Sequence, residues 1–385
     1  MTALPHHDLT PPAQAAAFRA RFGAAPRLFQ APGRINIIGE HTDYCGGLAM
    51  PAAIDRWCRV AAAANGTRRL TVVAEGFGEA AELDLDALTP RGAWSDYVAG
   101  VAKVLMDAGV AVPGADLMIE STVPIGTGVS SSAAIEVATA HALLALAGRS
   151  ADGLSIARWS QKAENDFVGM PCGIMDQYAS ANGVDGAALV LDCARLTSTP
   201  APLPDGASFL LVDSGVRHTH VDGAYRERRA DCEAAAKILG VGLLAEVSED
   251  DLAAALPRLP DGPAKRCRHV VTETARVRRA AAALARGDLV GLGALMNQSH
   301  ASLRDDMEVS VPEVDQLAQI ARETPSVFGA RMMGGGFGGC IIAVADRERV
   351  ADAQAAIGER YGAMLGKAPA VFVCRAVAGA GEILL

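Results

Sequence analysis

The sequence lacks several features that would each point to a particular class of protein. Its eight cysteines include no Cys-x-x-Cys pair, which argues against a zinc ribbon or a thioredoxin-like motif. No apolar run approaches the roughly 20 residues of a membrane helix, and the N-terminus has no basic start followed by an apolar stretch. Basic residues are not in excess, since 35 Lys and Arg face 44 Asp and Glu. We therefore expect a cytoplasmic protein without nucleic-acid or membrane partners.

The length and the order of elements predict two domains of mixed structure. A chain of 385 residues, half of them hydrophobic, exceeds the roughly 250–300 residues at which single cores stop growing. Strands are predicted at 34–38, 70–74, 117–120, 188–191, 209–212, 340–345 and 371–373. Helices are predicted at 133–147, 155–167, 222–239, 264–285 and 311–323. This pattern indicates an α+β fold, and the proline-rich stretch 199–206 predicts domains at 1–205 and 206–385.

A glycine-rich segment at 124–134, PIGTGVSSSAA, follows a predicted strand and leads directly into a predicted helix. Glycines allow close backbone approach to a ligand, and a helix N-terminus attracts anions. The segment is not a Walker loop, because no Lys-Ser/Thr follows the glycines. It is either a phosphate-binding loop or an ordinary strand–turn–helix connection with capping serines. The residues predicted to bind a nucleotide are Gly126, Thr127, Gly128, Val129, Ser130, Ser131 and Ser132.

A second polar segment at 33–44, GRINIIGEHTDY, carries Arg34 on a short apolar strand and then Glu40, His41 and Asp43 in close succession. Such a group of donors and acceptors suits recognition of sugar hydroxyls, because a ligand lacking them leaves polar groups unpaired. The alternative is a solvated turn in which Thr42 or Asp43 caps a helix. Four polar side chains directly after an apolar strand favour the binding role.

These segments resemble those of a known family. Residues 33–44 and the segment 169–177, GMPCGIMDQ, are similar to galactokinase motifs. Residues 124–134 and 332–340, MMGGGFGGC, resemble the second and third motifs of the wider group of galactose, homoserine, mevalonate and phosphomevalonate (GHMP) kinases. The resemblance implies an N-terminal domain like ribosomal protein S5 domain 2, a ferredoxin-like C-terminal domain and an active site in the cleft between them.

The resemblance also implies an activity, which is ATP-dependent phosphorylation of the anomeric hydroxyl of galactose in galactose catabolism, by a monomer. Asp176 matches the family's catalytic base, and Arg34 matches the residue that assists it. Ser132 and Glu164 match the Mg²⁺ ligands. The positions that match sugar contacts are Glu40, His41, Thr42, Asp43, Gly173 and Tyr225.

Two departures from the family pattern flank the sugar motif, and other functions remain open. Cys45 stands where the family usually has Asn, and Ala-Met-Pro at 49–51 stands where the family has a more β-branched or aromatic run. A kinase for N-acetylgalactosamine or arabinose is one alternative, and a galactose-sensing relative without turnover is another. The complete serine stretch and Asp176 favour catalysis over sensing.

His218 and His220 form a His-x-His pair, which is interpreted as loop residues because no third metal ligand is evident.

Overall fold

The computed structural model describes residues 10–74, 80–217 and 221–385. The strands within these residues form three sheets. The strands are β1 (Arg27–Asn36), β2 (Leu48–Ala49), β3 (Pro51–Ala64), β4 (Arg69–Ala74), β5 (Ala81–Asp84), β6 (Ala115–Ser121), β7 (Ala187–Asp192), β8 (Thr197–Pro202), β9 (Ala207–Arg217), β10 (Val327–Met333), β11 (Gly338–Asp346), β12 (Val371–Cys374) and β13 (Gly381–Ile383).

The helices lie mainly between the sheets or against their faces. They are α1 (Pro11–Phe22), α2 (Asp96–Asp107), α3 (Ser131–Leu146), α4 (Gly153–Lys162), α5 (Met175–Asn182), α6 (Val221–Leu239), α7 (Leu252–Ala255), α8 (Asp261–Ala285), α9 (Leu289–Asp305), α10 (Pro312–Arg322) and α11 (Val350–Leu365). Short 3-10 turns occur at Asp43–Cys45, Leu244–Glu246, Leu256–Arg258 and Arg347–Arg349, and one π-helical turn at Ala163–Val168.

The first sheet has the order β13-β1-β3-β6-β4-β5 and is packed against α3. Helix α3 is apolar on nearly all sides, which is typical of a helix that is buried rather than amphipathic. Its side chains share one core with those of β1, β3, β6 and α2. The helix begins at the end of the glycine-rich segment, so its burial fixes the position of that segment in the fold.

The second sheet has the order β10-β11-β9-β12, and each of its strand pairs is antiparallel. Strands β9, β10, β11 and β12, with helices before β10 and after β11, give the β-α-β-β-α-β arrangement of a ferredoxin-like unit. Helices α10 and α11 pack against this sheet over a separate core. The predicted α+β class and the ferredoxin-like C-terminal unit are confirmed.

The proline-rich stretch 199–206, which the sequence predicts to be a domain boundary, is partly a strand. Its first part belongs to β8, which pairs with β7 in a three-stranded sheet of order β2-β7-β8. Pro200 and Pro202 are tolerated there because β8 lies at the sheet edge, where a missing N–H costs no ladder hydrogen bond. Only 203–206 form a turn into β9.

Most other elements lie where the sequence predicts them, with shifts at their ends. The helix predicted at 155–167 is divided into α4 and the π-helical turn. The strand predicted at 34–38 begins earlier, at Arg27, and ends at Asn36. Within the residues described, no helix combines the length and the hydropathy that crossing a membrane would require.

Candidate active site

Asp176, in the first turn of α5, is hydrogen-bonded on both carboxylate oxygens. Arg34 of β1 donates from Nε to Oδ1 at 2.8 Å, and its Nη2 lies 2.7 Å from the same oxygen. Ser130 donates its hydroxyl to Oδ2. The three predicted residues, which are far apart in sequence, therefore converge on one carboxylate held in a defined orientation.

The glycine-rich segment connects β6 to α3 through a compact turn of left-handed residues. Gly126, Gly128 and Ser130 have φ angles of 72°, 78° and 61°. A positive φ is unusual for serine and is characteristic of functional turns. Arg34 secures the turn, since its backbone N–H donates to the Val129 carbonyl at 3.1 Å and its Nη1 donates to the Gly128 carbonyl. The N-terminus of α3, where backbone N–H groups lack helical partners, therefore lies beside Asp176, because Ser130 directly before the helix contacts this carboxylate.

A cavity of about 220 Å³ adjoins Asp176. Its walls come from the polar segment after β1, the loop before α5, helix α6 and the glycine loop after β10. The lining residues are Arg34, Glu40, His41, Asp43, Glu164, Met170, Pro171, Cys172, Gly173, Met175, Asp176, Tyr225, Gly334 and Gly335. A small cavity surrounded by carboxylates, an arginine and aromatic rings is suited to a small polar ligand.

His41 lines this cavity as a neutral imidazole. Burial lowers the pKa of His41 to about 3, so the ring carries one proton at neutral pH. Its Nε2 lies 3.2 Å from the carbonyl oxygen of Gly335, which can only accept, so Nε2 is the donor. Nδ1 therefore accepts from the hydroxyl of Tyr44 at 2.8 Å. The rings of His41 and Tyr44 also contact Tyr225, with centroid distances of 5.4 and 5.7 Å.

Asp43 contributes a second carboxylate, and the loop before α5 is shaped around it. A Cβ atom placed on Gly173 would lie 1.8 Å from Oδ2 of Asp43, so only glycine fits at 173. Burial raises the pKa of Asp43 to about 6, with further contributions from the charges of Asp176 and Glu40. The backbone N–H groups of Tyr44 and Met175 donate to this carboxylate and oppose the rise.

Thr42 occupies a different position from the predicted sugar contact. It is fully buried, and its hydroxyl is hydrogen-bonded to the carbonyls of Gly39 at 3.0 Å and Leu48 at 2.8 Å. Because these bonds close the turn, Thr42 supports the loop rather than lining the cavity. His218 and His220 lie outside the described residues.

Glu164 lies on the π-helical turn, close to Ser132 at the start of α3. Burial raises the pKa of Glu164 to about 7, as does the nearby charge of Asp176, while a hydrogen bond from Ser132 opposes this rise. Gln177 donates from Nε2 to Glu164 at 2.6 Å and to Glu136 at 3.2 Å. One oxygen of Glu136, Oε1, is buried without a hydrogen-bond partner among the described residues.

These oxygen donors fit a Mg²⁺ ion. The ion prefers hard oxygen ligands and is usually held by one or two carboxylates together with substrate phosphates. Across residues 10–74, 80–217 and 221–385, no three His, Cys, Asp or Glu side chains converge to hold a metal on their own. A site on Ser132 and Glu164 is consistent with an ion that shares its coordination with a bound phosphate.

The second glycine loop, at 334–339, lies directly against the first. A Cβ atom on Gly334 would be 3.4 Å from Cα of Gly128, so the two backbones nearly touch. Glu40 joins this loop to the polar segment, since its Oε1 accepts from the N–H of Gly334 at 2.8 Å. Arg331, just before the loop, contacts the same oxygen at 3.2 Å.

Sequence reasoning missed three buried polar residues around the site, namely Glu136, Gln177 and Arg331. Glu136 and Arg331 lie outside the polar motifs, and Gln177 ends the segment 169–177 but was assigned no role. The signal that could have found Glu136 and Arg331 is a charged residue inside an otherwise apolar element, because such residues are rarely buried without a partner.

Comparison with known proteins identifies the family of kinases to which these features correspond. Residues 16–64 match the galactokinase galactose-binding signature, 96–184 the GHMP kinases N terminal domain and 280–363 the GHMP kinases C terminal domain. A galactokinase of Roseiflexus sp. is 40% identical over 374 residues, covering 95% of this chain and 96% of its own length. A galactokinase of Chloroflexus aggregans is 43% identical over 372 residues, covering 94% and 95%.

Solved structures of one galactokinase and one mevalonate kinase are also similar to this chain. The Lactococcus lactis galactokinase complexed with galactose superposes with a TM-score of 0.93 at 33% identity, covering 97% of this chain and 99% of that one. The Methanococcus jannaschii mevalonate kinase superposes with a TM-score of 0.65 at 17% identity, covering 92% and 99%. The second comparison shows the fold alone.

Proposed function

Because the chain belongs to the galactokinase family, we propose that it transfers the γ-phosphoryl group of ATP to the anomeric hydroxyl of D-galactose, giving galactose 1-phosphate and ADP. One observation carries the proposal. Asp176, held by Arg34 and Ser130, lies between a small polar cavity and a glycine-rich turn at a helix N-terminus. A carboxylate in that position can accept a proton from a sugar hydroxyl while the turn holds the phosphates.

The sugar would occupy the cavity with its C1 hydroxyl toward Asp176. Glu40, His41 and Asp43 would contact its other hydroxyls, Gly173 would leave room beside Asp43, and Tyr225 would cover one face. The Lactococcus relative was solved with galactose bound, and residues 16–64 of this chain, which match the galactose-binding signature, supply Glu40, His41 and Asp43 to the cavity. Unpaired buried carboxylates would penalise a sugar lacking the matching hydroxyls.

ATP would bind with its phosphates on the turn formed by residues 126–132. The backbone N–H groups at the start of α3 and the hydroxyl of Ser131 would donate to the phosphate oxygens, while the Ser130 hydroxyl stays on Asp176. Ser132 and Glu164 would hold Mg²⁺, which when bound neutralises charge on the phosphates.

The transfer itself needs orientation and charge compensation more than covalent help. The C1 oxygen of the sugar forms a bond to the γ-phosphorus as the bond to the β–γ bridging oxygen breaks, and the hydroxyl proton passes to Asp176. Arg34 holds Asp176 in place and offers positive charge beside the transferring group. Ser130 donates to the second carboxylate oxygen, Oδ2. The carboxylate of Asp176 is therefore held in one orientation toward the sugar.

We also propose the division of the chain at 205 and 206, a monomeric state and a cytoplasmic location. The GHMP N-terminal and C-terminal family models match residues 96–184 and 280–363, on either side of this boundary, which supports the division. One face of the second sheet nevertheless shares a hydrophobic core with the first sheet, and β13 joins the first sheet. A single chain supplies each proposed catalytic group, which supports a monomer. The eight cysteines are all free, as is usual in a reducing compartment.

A sugar panel tests the proposal. Purified protein with ATP and Mg²⁺ is assayed for ADP release with D-galactose, N-acetylgalactosamine and arabinose, and the product is identified by its phosphorus NMR signal. We expect galactose to give the highest kcat/KM and a 1-phosphate product. Preferential turnover of another sugar would reassign the acceptor. Binding of galactose and ATP without ADP release would instead favour a sensing protein.

A further inference from the structure

Arg331 is a fully buried arginine at the boundary between the two halves of the molecule. It lies on β10, an edge strand of the second sheet, and its side chain extends to the end of β1. Its Nε donates to the carbonyl of Ile37 at 2.8 Å, and its Nη2 donates to the carbonyl of Asn36. The guanidinium thus adds two hydrogen bonds between the N-terminal sugar segment and the C-terminal sheet.

The same guanidinium also determines the position of Glu40. Arg331 Nη2 and the N–H of Gly334 both donate to Oε1 of Glu40, at 3.2 and 2.8 Å. The other oxygen, Oε2, makes no hydrogen bond to the described residues, and Glu40 lines the cavity. One carboxylate oxygen is therefore used for anchoring and the other is left for a ligand.

The backbone of the segment is held from the opposite side as well. The N–H of Gly39 donates to Glu273 at 2.9 Å, and His269 donates from Nε2 to the carbonyl of Glu40 at 3.0 Å. Both residues lie on α8, whereas Arg331 lies on β10. Since α8 already fixes the main chain, the particular contribution of Arg331 is to the Glu40 side chain.

We propose that Arg331 is a positioning residue for sugar binding, which holds Glu40 so that Oε2 faces the sugar. The inference rests on the proposed function, because it concerns the galactose site. Lysine cannot replace this arginine, since the guanidinium donates to three backbone carbonyls and the Glu40 carboxylate, and a single ammonium with three N–H groups cannot reach all four acceptors. Loss of the contact frees Glu40 to turn and leaves a buried carboxylate poorly paired.

The test compares Arg331→Lys with a matched control, Arg266→Lys. Arg266 is also buried, but its partners are Asp231, Asp306 and Glu308, all in the C-terminal half and none lining the cavity. Galactose binding is measured by calorimetry without ATP, and KM for each substrate and kcat are measured by ADP release. We expect Arg331→Lys to weaken galactose binding roughly 10- to 100-fold, with the KM for ATP changed by no more than about two-fold.

Arg266→Lys should lower the thermal midpoint but leave the galactose Kd unchanged. Normal galactose affinity in Arg331→Lys, or an equal loss in Arg266→Lys, would overturn the positioning role. If the wild-type protein binds no galactose, the proposed function fails instead, so the two failures are distinguishable.

A second comparison applies if Arg331→Lys does not fold. The double variant Arg331→Met with Glu40→Gln leaves no unpaired buried charge. It should bind galactose as weakly as Glu40→Gln alone, because without the Glu40 carboxylate there is nothing for Arg331 to position. A further loss in the double variant, beyond that of Glu40→Gln, would contradict the inference.

Discussion

Asp176 is oriented within the protein itself, since Arg34 and Ser130 occupy its two oxygens. Asp176→Asn keeps the shape of the side chain but removes its ability to accept a proton. Because a positioned base contributes about 10²–10⁴-fold, we expect kcat to fall on that scale while galactose still binds. Steady-state ADP release and calorimetric sugar binding measure the two effects. Asp185→Asn, at an exposed carboxylate after α5, is the control, and near-normal turnover by Asp176→Asn would remove the residue from the proposed role.

Asp43 gives a pH dependence of stability whose sign follows from its raised pKa. The folded-state pKa of about 6 exceeds the ordinary value of 3.8, so protonation favours the folded state. This stabilisation is fully present below pH 3.8 and is lost as the pH rises through 6. Asp43→Asn removes the titrating group, so its stability relative to wild type should increase between pH 5 and pH 7.5 by on the order of 1–3 kcal/mol.

The measurement for Asp43 is calorimetric unfolding of both proteins without ligand across this pH interval. Asp205→Asn, at a fully exposed carboxylate, serves as the control and should follow the wild-type curve. A difference between Asp43→Asn and wild type that is constant with pH would show that Asp43 does not titrate in this range.

At the residue scale, the sequence predicted the groups that would touch ligand better than the groups that hold them. Arg34, Ser130 and Asp176 belong to contiguous polar motifs, and the structure brings them together. Arg331 and Glu136 stand alone in apolar elements, and their partners Glu40 and Gln177 are distant in sequence. Because such pairing is created only by the tertiary fold, a local pattern cannot identify it.

At the scale of the element, helix α3 and the π-helical turn bring Ser132 and Glu164 together from separate segments. Removing the Ser132 hydroxyl in Ser132→Ala should raise the Mg²⁺ concentration needed for half-maximal activity by roughly ten-fold, because one proposed ligand is lost. The assay is ADP release titrated with Mg²⁺ at fixed ATP and galactose. Ser155→Ala, near the start of α4, should not change the requirement, and an unchanged metal dependence in Ser132→Ala would argue against the assignment.

The elements that the sequence misjudged share a physical cause. The π-helical turn adds a residue to a pattern that is otherwise helical, and this does not alter the hydrophobic periodicity enough to be seen. The prolines of β8 suggested a connecting segment, yet an edge strand needs no donor on its outer side. In both cases the local composition was compatible with two structures, and packing against α2 or β7 selected one.

At the scale of the whole molecule, the chain returns to its first sheet after completing the second. Following β12, the N–H groups of Gly379 and Ala380 donate to the carbonyls of Gly183 and Ser180 at 2.8 and 2.9 Å, and β13 pairs with β1. The sequence did not predict this return, because the pairing partners of a three-residue strand are set by topology rather than by composition.

Deleting residues 378–385 should therefore weaken the N-terminal half although the deletion lies at the other end of the chain. Each lost backbone hydrogen bond contributes about 1 kcal/mol, so we expect the thermal midpoint to fall by several degrees. Hydrogen exchange should increase in β1 and at the end of α5, while β10 and β11 stay protected.

The control is Glu382→Gln, which removes only the exposed ion pair with Arg27. Because such a pair contributes little, this variant should leave hydrogen exchange unchanged. Because α5 begins beside Asp176, the deletion should also lower kcat, and a uniform increase in exchange across both sheets would contradict this argument.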